Sequence, residues 1–223
     1  MLHPKKDGQI RLCIDYRKFN ENSIRPSFYI PDTQEILEKV AGNRFFTTLD
    51  LVKGYHQIPM HIESIEKTAF STPSGHYEYL RMPFGLNGAP ATFQRALQSI
   101  LSEEHRKISF VYLDDVIIFG KSKEEHNSRL NQVLTKLRDS SVKLSKEKCI
   151  FGSQEVHFLG HIVNEQGIKT DPEKIRTILE WKQPENVGEL VSFLGLASYY
   201  RQFVKNFAAV SYTHLTLPTI LRV

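Results

Sequence analysis

The sequence predicts a mixed α/β body over residues 2–163, followed by a small helical piece over 171–207. Three observations carry that prediction. Phe45–Asp50 is a β-branched and aromatic run ending in an acid, which reads as a buried strand. Residues 108–120 are apolar on both sides of Asp114 and Asp115. Around these runs, apolar residues recur at the three- and four-residue spacing of amphipathic helices.

In chain order, residues 5–8 are a turn signal and 9–16 an alternating strand. Only four residues precede that turn, so the strand's hairpin mate is expected upstream of the chain. Pro26 and Pro31 bracket an extended stretch. Pro31-Asp32 then leads into a helix with Ile36, Leu37 and Val40 on one face, stopped by Gly42. Residues 83–90 are rich in Gly, Pro and Asn and read as a loop. Phe93, Ala96, Leu97, Ile100 and Leu101 after it keep helical spacing. Ser122 with Glu125 is a capping-box pair opening a helix that carries Leu130, Val133, Leu134 and Leu137. Short strands are expected at 142–144, 149–151 and 156–163. Asp171-Pro172 starts a further helix, with Pro tolerated at the first position. Asn186 with Glu189 starts the last one, in which Phe193, Tyr199, Tyr200 and Phe203 are expected to be mostly core and Trp181 to pack against the piece. A boundary near Gln166-Gly167 divides 1–165 from 166–208. Residues 209–223 break the helical pattern, and 211–219 resemble the translation of a sequencing adapter, so this tail is expected to be non-native.

Composition narrows the classes. The chain has 223 residues, 40% apolar and 24% charged, an ordinary globular mix long enough to bury a core. Lys and Arg number 29 against 25 acids, so an anionic partner is allowed but not demanded. No apolar run reaches membrane-span length, and the N-terminus lacks a signal core. Cys13 and Cys149 are isolated, forming neither a disulfide framework nor a zinc cluster, which suits a reducing compartment.

The chemistry lies in three carboxylates with apolar surroundings. Uncompensated burial of a carboxylate costs several kcal/mol, and adjacent ones repel. An isolated Asp-Asp pair is commonly a solvated turn. Here the apolar flanks of Asp114 and Asp115 favour a hairpin with the acids at its tip, where a divalent cation would neutralise them. Oxygen ligands without His or Cys select magnesium or manganese over zinc. Asp50, closing another apolar strand, could face that tip. Three carboxylates holding two such ions suit in-line displacement at phosphorus.

The wording of the sequence adds a resemblance. Residues 112–115, Tyr-Leu-Asp-Asp, resemble the YxDD box of reverse transcriptases. Residues 46–58 resemble the segment carrying the first catalytic Asp of those enzymes, 81–94 the loop and helix between, and 158–161 the primer-grip turn. The four occur in the family's order and spacing, over about residues 5–207, and are closest to Pol polyproteins of gypsy-type long-terminal-repeat retrotransposons.

That resemblance implies an α+β right-hand polymerase fold: partial fingers, a palm of antiparallel sheet backed by helices, and a small helical thumb. It implies RNA-directed DNA synthesis, with DNA templates also used. Asp50, Asp114 and Asp115, with the Leu51 carbonyl, would hold two Mg2+ ions, Mn2+ being able to substitute. Lys5 or Lys6 with Arg11 would clamp the dNTP triphosphate, a task for which a guanidinium is well shaped. The backbone of Lys53, Gly54 and Tyr55 would reach the nucleotide, and the Tyr55 ring would lie under its sugar and disfavour a 2′-hydroxyl. Phe84 stands where retroviral enzymes carry Gln and, with Gly85, would border the nucleotide. Pro90, Phe93, Gln94, Tyr112, Phe158, Leu159 and Gly160 would meet template or primer. The scattered histidines, 56, 76, 126, 157 and 161, carry no metal spacing and are expected on the surface or in the core. Expected partners are an RNA or DNA template with its primer, dNTPs, and ribonuclease H and integrase domains elsewhere in the polyprotein. The expected location is intracellular, in cytoplasmic virus-like particles. Two rival readings are a truncated, non-catalytic nucleic-acid-binding remnant, motivated by the missing hairpin mate, and a two-metal nuclease.

Overall fold

The computed structural model describes residues 2–4, 10–24 and 31–209. Lys5, Lys6, the stretch 25–30 and the tail from 210 lie outside the described residues, as does the side chain of Arg11. The chain divides into two compact units. The first runs to Val156 and takes in Asn164–Gln166; the second holds His157–Val163 and the chain from Gly167 on.

The first unit begins with β1 (Leu2–Pro4) paired antiparallel with β2 (Ile10–Leu12), His3 opposite Arg11. The hairpin mate expected upstream is therefore Leu2–Pro4. The strand is also shorter than the alternation of 9–16 suggested, because the chain turns into α1 (Arg17–Glu21) soon after. There Tyr16 is buried and its hydroxyl donates to the carbonyl of Thr68 at 2.9 Å. A tertiary hydrogen bond thus overrides a local β pattern.

Next comes α2 (Thr33–Val40), capped by Asp32, whose carboxylate accepts from the Gln34 N–H at 2.7 Å. It buries Ile36, Leu37 and Val40, and the chain leaves through Gly42 at φ 76°. Then follow β3 (Phe45–Asp50), a 3-10 turn at Gly54–Gln57, α3 (Ile62–Ile65) and the hairpin β4 (Phe70–Thr72) with β5 (Gly75–Tyr77). The long helix α4 (Ala89–Ile100) starts with Pro90 in its first turn, and α5 (Glu103–Ile108) follows. The apolar pair is β6 (Ser109–Tyr112) and β7 (Asp115–Gly120). After it comes α6 (Lys123–Asp139), where Ser122 accepts from the Glu125 N–H at 3.2 Å and Glu125 accepts from Lys121 N–H at 2.7 Å.

The central sheet has the order β6-β7-β3-β8, with β8 at Ile150–Ser153. β3 and β7 run antiparallel with Leu49 opposite Val116, Thr47 opposite Ile118 and Asp50 opposite Asp115. Strand alternation then sorts the faces. Leu49, Val111, Val116 and Ile118 share one face, in the core with Phe93 and Leu97 of α4 and Val133 and Leu137 of α6. Asp50 and Asp115 share the other with Phe46 and Ile117. Residues 142–144 do not form the strand expected of them. They contribute a single bridge, Leu144 to Leu51, that extends the end of β3.

The run 156–163 is likewise not one strand. It folds into β9 (Glu155–Phe158) and β10 (His161–Asn164), joined by Leu159 and Gly160. With β11 (Gly167–Thr170) they make a three-stranded sheet of order β11-β10-β9. In the second unit, Asp171 caps α7 (Pro172–Leu179) by accepting from the Glu173 N–H at 2.9 Å. Asn186 does the same for α8 (Val187–Ser198) through Glu189. The Trp181 ring lies tilted against Phe193, centroids 6.2 Å apart. Of the aromatic residues expected in the core, Tyr200 is buried, but Tyr199 and Phe203 are 43% and 41% exposed. The helix ends at Ser198 and a 3-10 turn covers Arg201–Phe203, so the helical spacing that grouped them no longer applies.

Candidate active site

The three acids assemble through two backbone events. β3 delivers Asp50 directly opposite Asp115, the first residue of β7. Tyr112 also faces Asp115, so Leu113 and Asp114 form the two-residue turn between β6 and β7. Leu113 sits at φ 52°, a left-handed conformation unfavourable for a branched residue. Gln94 holds it there. Its side-chain oxygen accepts from the Leu113 N–H at 2.7 Å, and its NH2 donates to the Val111 carbonyl at 2.8 Å.

Gln94 is fully buried with both ends of its amide used in this way, so its side chain supports the acid turn. The buried Phe93 ring is likewise a core residue, and so is Phe158 in the second unit. The family resemblance placed these three at the nucleic acid. The structure turns their side chains inward. Pro90 is half-buried in the first turn of α4, and Tyr112, Leu159 and Gly160 are partly exposed.

A tight turn after β3 completes the site. Val52 N–H donates to the Lys143 carbonyl, and Ser145 N–H to the Asp50 carbonyl at 2.9 Å. Gln57 pins the same turn: its NH2 donates to the carbonyls of Val52 and Lys143, and its oxygen accepts from the Lys143 N–H at 2.8 Å. Lys53 is exposed at φ 47°. Gly54 follows, buried, and a Cβ there would run into the Asp114 carboxylate and the Phe93 ring. Glycine is required here for close approach.

Electrostatics follow from this crowding. Asp115 is pushed above the usual carboxylate range, first by desolvation at the end of the sheet and then by the charges of Asp50 and Asp114. Lys148 works against that shift, its ammonium lying 3.6 Å from Asp50 Oδ1. Sequence reading missed Lys148, because nothing in its polar neighbourhood marks it as close to the acids. The Tyr55 hydroxyl is raised by burial and then by Asp114.

Tyr55 leans on Phe93 at 5.5 Å and on Phe84 at 5.2 Å between ring centroids. Phe84 meets His56 edge-on at 5.0 Å, and His56 stacks on Tyr79. Burial and the Lys53 charge hold the His56 imidazole below its ordinary value, so it is neutral at physiological pH. Gly85, at φ 95°, is anchored by Asn20, whose NH2 donates to the Gly85 carbonyl at 2.8 Å while its oxygen accepts from Asn87 N–H. Asn20 and His56 thus join the site's surroundings through contacts far apart in sequence.

All the candidate metal donors are oxygens, and their mutual repulsion is of the kind a divalent cation relieves. The donor chemistry therefore fits magnesium or manganese. Among the described residues, no group of three His, Cys, Asp or Glu is already drawn into a metal cage. Lys148 brings a positive charge to Asp50.

The described unit is thus an antiparallel sheet with helices packed on it and acids gathered at one end. The chain matches the family described as reverse transcriptase (RNA-dependent DNA polymerase) over residues 3–163, and belongs to it. Its relatives include the retrovirus-related Pol polyproteins of Drosophila melanogaster transposons 297 and gypsy. They are 52% identical over 92% of this chain and 47% identical over 90%, respectively. In each case the chain spans 19% of the relative's length. The gypsy-type Pol resemblance therefore holds. Among solved structures, a foamy viral protease-reverse transcriptase in complex with double-stranded DNA matches with TM-score 0.89 and 27% identity, over 98% of this chain and 38% of that one. The same viral enzyme with an RNA/DNA hybrid matches at 0.77 and 25% identity, over 95% and 29%. The right-hand polymerase fold follows from these likenesses.

Proposed function

We propose that this chain is the polymerase part of a retrotransposon Pol protein, extending a primer with dNTPs on RNA and also on DNA. The observation that carries this reading is the register of β3 and β7, which sets Asp50 against Asp115 with Asp114 in the adjoining turn. Asp50, Asp114 and Asp115, with the Leu51 carbonyl, would hold two Mg2+ ions, for which Mn2+ can substitute. When bound, such ions supply the charge that activates a 3′-hydroxyl and neutralises a departing pyrophosphate.

The chain's own residues position the reactants. Gln94 and Gly54 fix the acid turn. Tyr55, braced by Phe84 and Phe93, offers a rigid ring under the nucleotide sugar that a 2′-hydroxyl would strike. Arg11 with Lys5 or Lys6 would bind the triphosphate, and the backbone of 53–55 and Gly85 would border it. The Leu159–Gly160 turn would carry the primer strand. Location in a cytoplasmic particle, and ribonuclease H and integrase partners, belong to the same proposal.

β1 pairs with β2, which answers the missing hairpin mate but leaves the remnant reading as the rival that the test must separate. The test is magnesium-dependent extension of a DNA primer on an RNA template by the full chain, with Asp115→Asn as control. Extension by the parent alone supports the assignment. Equal extension by both sinks the metal site, and primer–template binding without any extension returns the remnant reading.

A further inference from the structure

The turn between β9 and β10 is held in a way its own sequence does not explain. Leu159 and Gly160 both have left-handed backbone, at φ 48° and 68°, as a two-residue hairpin turn demands. Such turns are ordinarily Asn-Gly or Gly-Gly, because a branched side chain resists that conformation. Here the first position is leucine. The restraint comes instead from residues about forty positions away. Tyr199 hydroxyl donates to the Leu159 carbonyl at 2.5 Å, and Tyr200 hydroxyl to the Gly160 carbonyl at 3.2 Å.

His161 adds a third bond. Its Nδ1 lies 2.8 Å from the same Leu159 carbonyl, which can only accept, so Nδ1 carries the proton. Nε2 is buried and without a hydrogen-bond partner. The ring is enclosed by Tyr199, Tyr200 and Phe203 at centroid distances of 5.2, 5.5 and 5.8 Å. Both lone pairs of the Leu159 oxygen are therefore engaged by donors, and the Gly160 oxygen is engaged as well. A polyanion is repelled by carbonyl oxygens and attracted by peptide N–H groups. Hydroxyls that bind the turn's acceptors keep them from facing phosphate.

We propose that Tyr199 and Tyr200 are positioning residues for the primer strand: with His161 they lock the Leu159–Gly160 turn in its left-handed form and occupy its carbonyls, fixing the surface the turn offers to a primer. This rests on the reading of that turn as primer-contacting given under Proposed function.

The test uses the full chain and the Tyr199→Phe/Tyr200→Phe double variant, which keeps both rings. Amide exchange across 158–163 is expected to accelerate about tenfold. Affinity for a primed template is expected to fall by a similar factor, with affinity for the unprimed template strand unchanged. Adding Leu159→Asn, which accepts left-handed backbone, is expected to restore slow exchange and primed-template affinity. A tyrosine pair that only supports the fold would give no such selectivity and no rescue. Unchanged exchange in the double variant overturns the lock. Accelerated exchange with equal loss on primed and unprimed strands overturns the role in primer positioning. A parent chain that does not prefer primed over unprimed template overturns the primer reading of the turn itself, and the proposal with it.

Discussion

At the scale of single residues, Asp115 couples chemistry to stability. Its folded pKa lies above its unfolded one, so between the two values the folded chain binds more protons. Stability therefore falls as pH rises through that window, and the ionised group weighs against the fold at neutral pH. Asp115→Asn is expected to melt higher than the parent at pH 7, with the gap closing as pH falls below the ordinary aspartate value of 3.8. The same substitution should cut primer extension by about a thousandfold or more. Thermal melts at several pH values and an extension assay read the two effects separately. Gly54→Ala should cost about a hundredfold in extension, since its methyl displaces the Asp114 carboxylate. Wild-type extension in that variant would show that the crowding is relieved at no cost. Tyr55→Ala should relax discrimination against ribonucleotides, measured as the ratio of rNTP to dNTP incorporation.

Among elements, the β6–β7 hairpin shows how a helix can set the geometry of a turn. The Asp-bearing turn was legible in the sequence, because apolar runs flanking two acids favour a hairpin with the acids at its tip. What holds that tip was not legible. Gln94 sits on α4 with helical spacing like any other position, and nothing local distinguishes a buried amide from one meeting nucleic acid. Its two bonds to Val111 and Leu113 exist only once α4 packs on the sheet. Gln94→Leu should destabilise the chain by about 2 kcal/mol or more, by stranding a buried N–H and C=O. A denaturant titration gives that figure, and a neutral result would mean that water replaces the amide. Conversely, the caps of α2, α6, α7 and α8 were readable, since each is a bond from a side chain to a backbone N–H only two or three residues on.

For the whole molecule, charge and the candidate partner belong together. The chain carries a net +4, modest for the polyanion binding proposed above. Its affinity for primer–template should still fall by about tenfold or more between roughly 50 and 200 mM salt, as phosphate contacts release counterions. Fluorescence anisotropy across that range tests it, and a flat response would point to binding without phosphate neutralisation. No helix among the described residues is long and apolar enough to cross a membrane.

The sequence by itself determined whatever depends on neighbours a few residues apart. That covers the strand ending at Asp50, the hairpin bearing Asp114 and Asp115, the helix caps, and the ordered segments that carry the family likeness. Only the tertiary structure decided which side chains face inward and which acids meet. Asp50 and Asp115 lie far apart in the chain, and their register is set by antiparallel pairing and burial of the sheet's opposite face. Lys148 reaches Asp50, and the hydroxyls of Tyr199 and Tyr200 reach the Leu159–Gly160 turn, by the same kind of long-range closure. Local patterns record the preference of backbone and side chain for one conformation. They carry no record of which distant group will satisfy a buried carbonyl or neutralise a carboxylate, because that partner is chosen by packing.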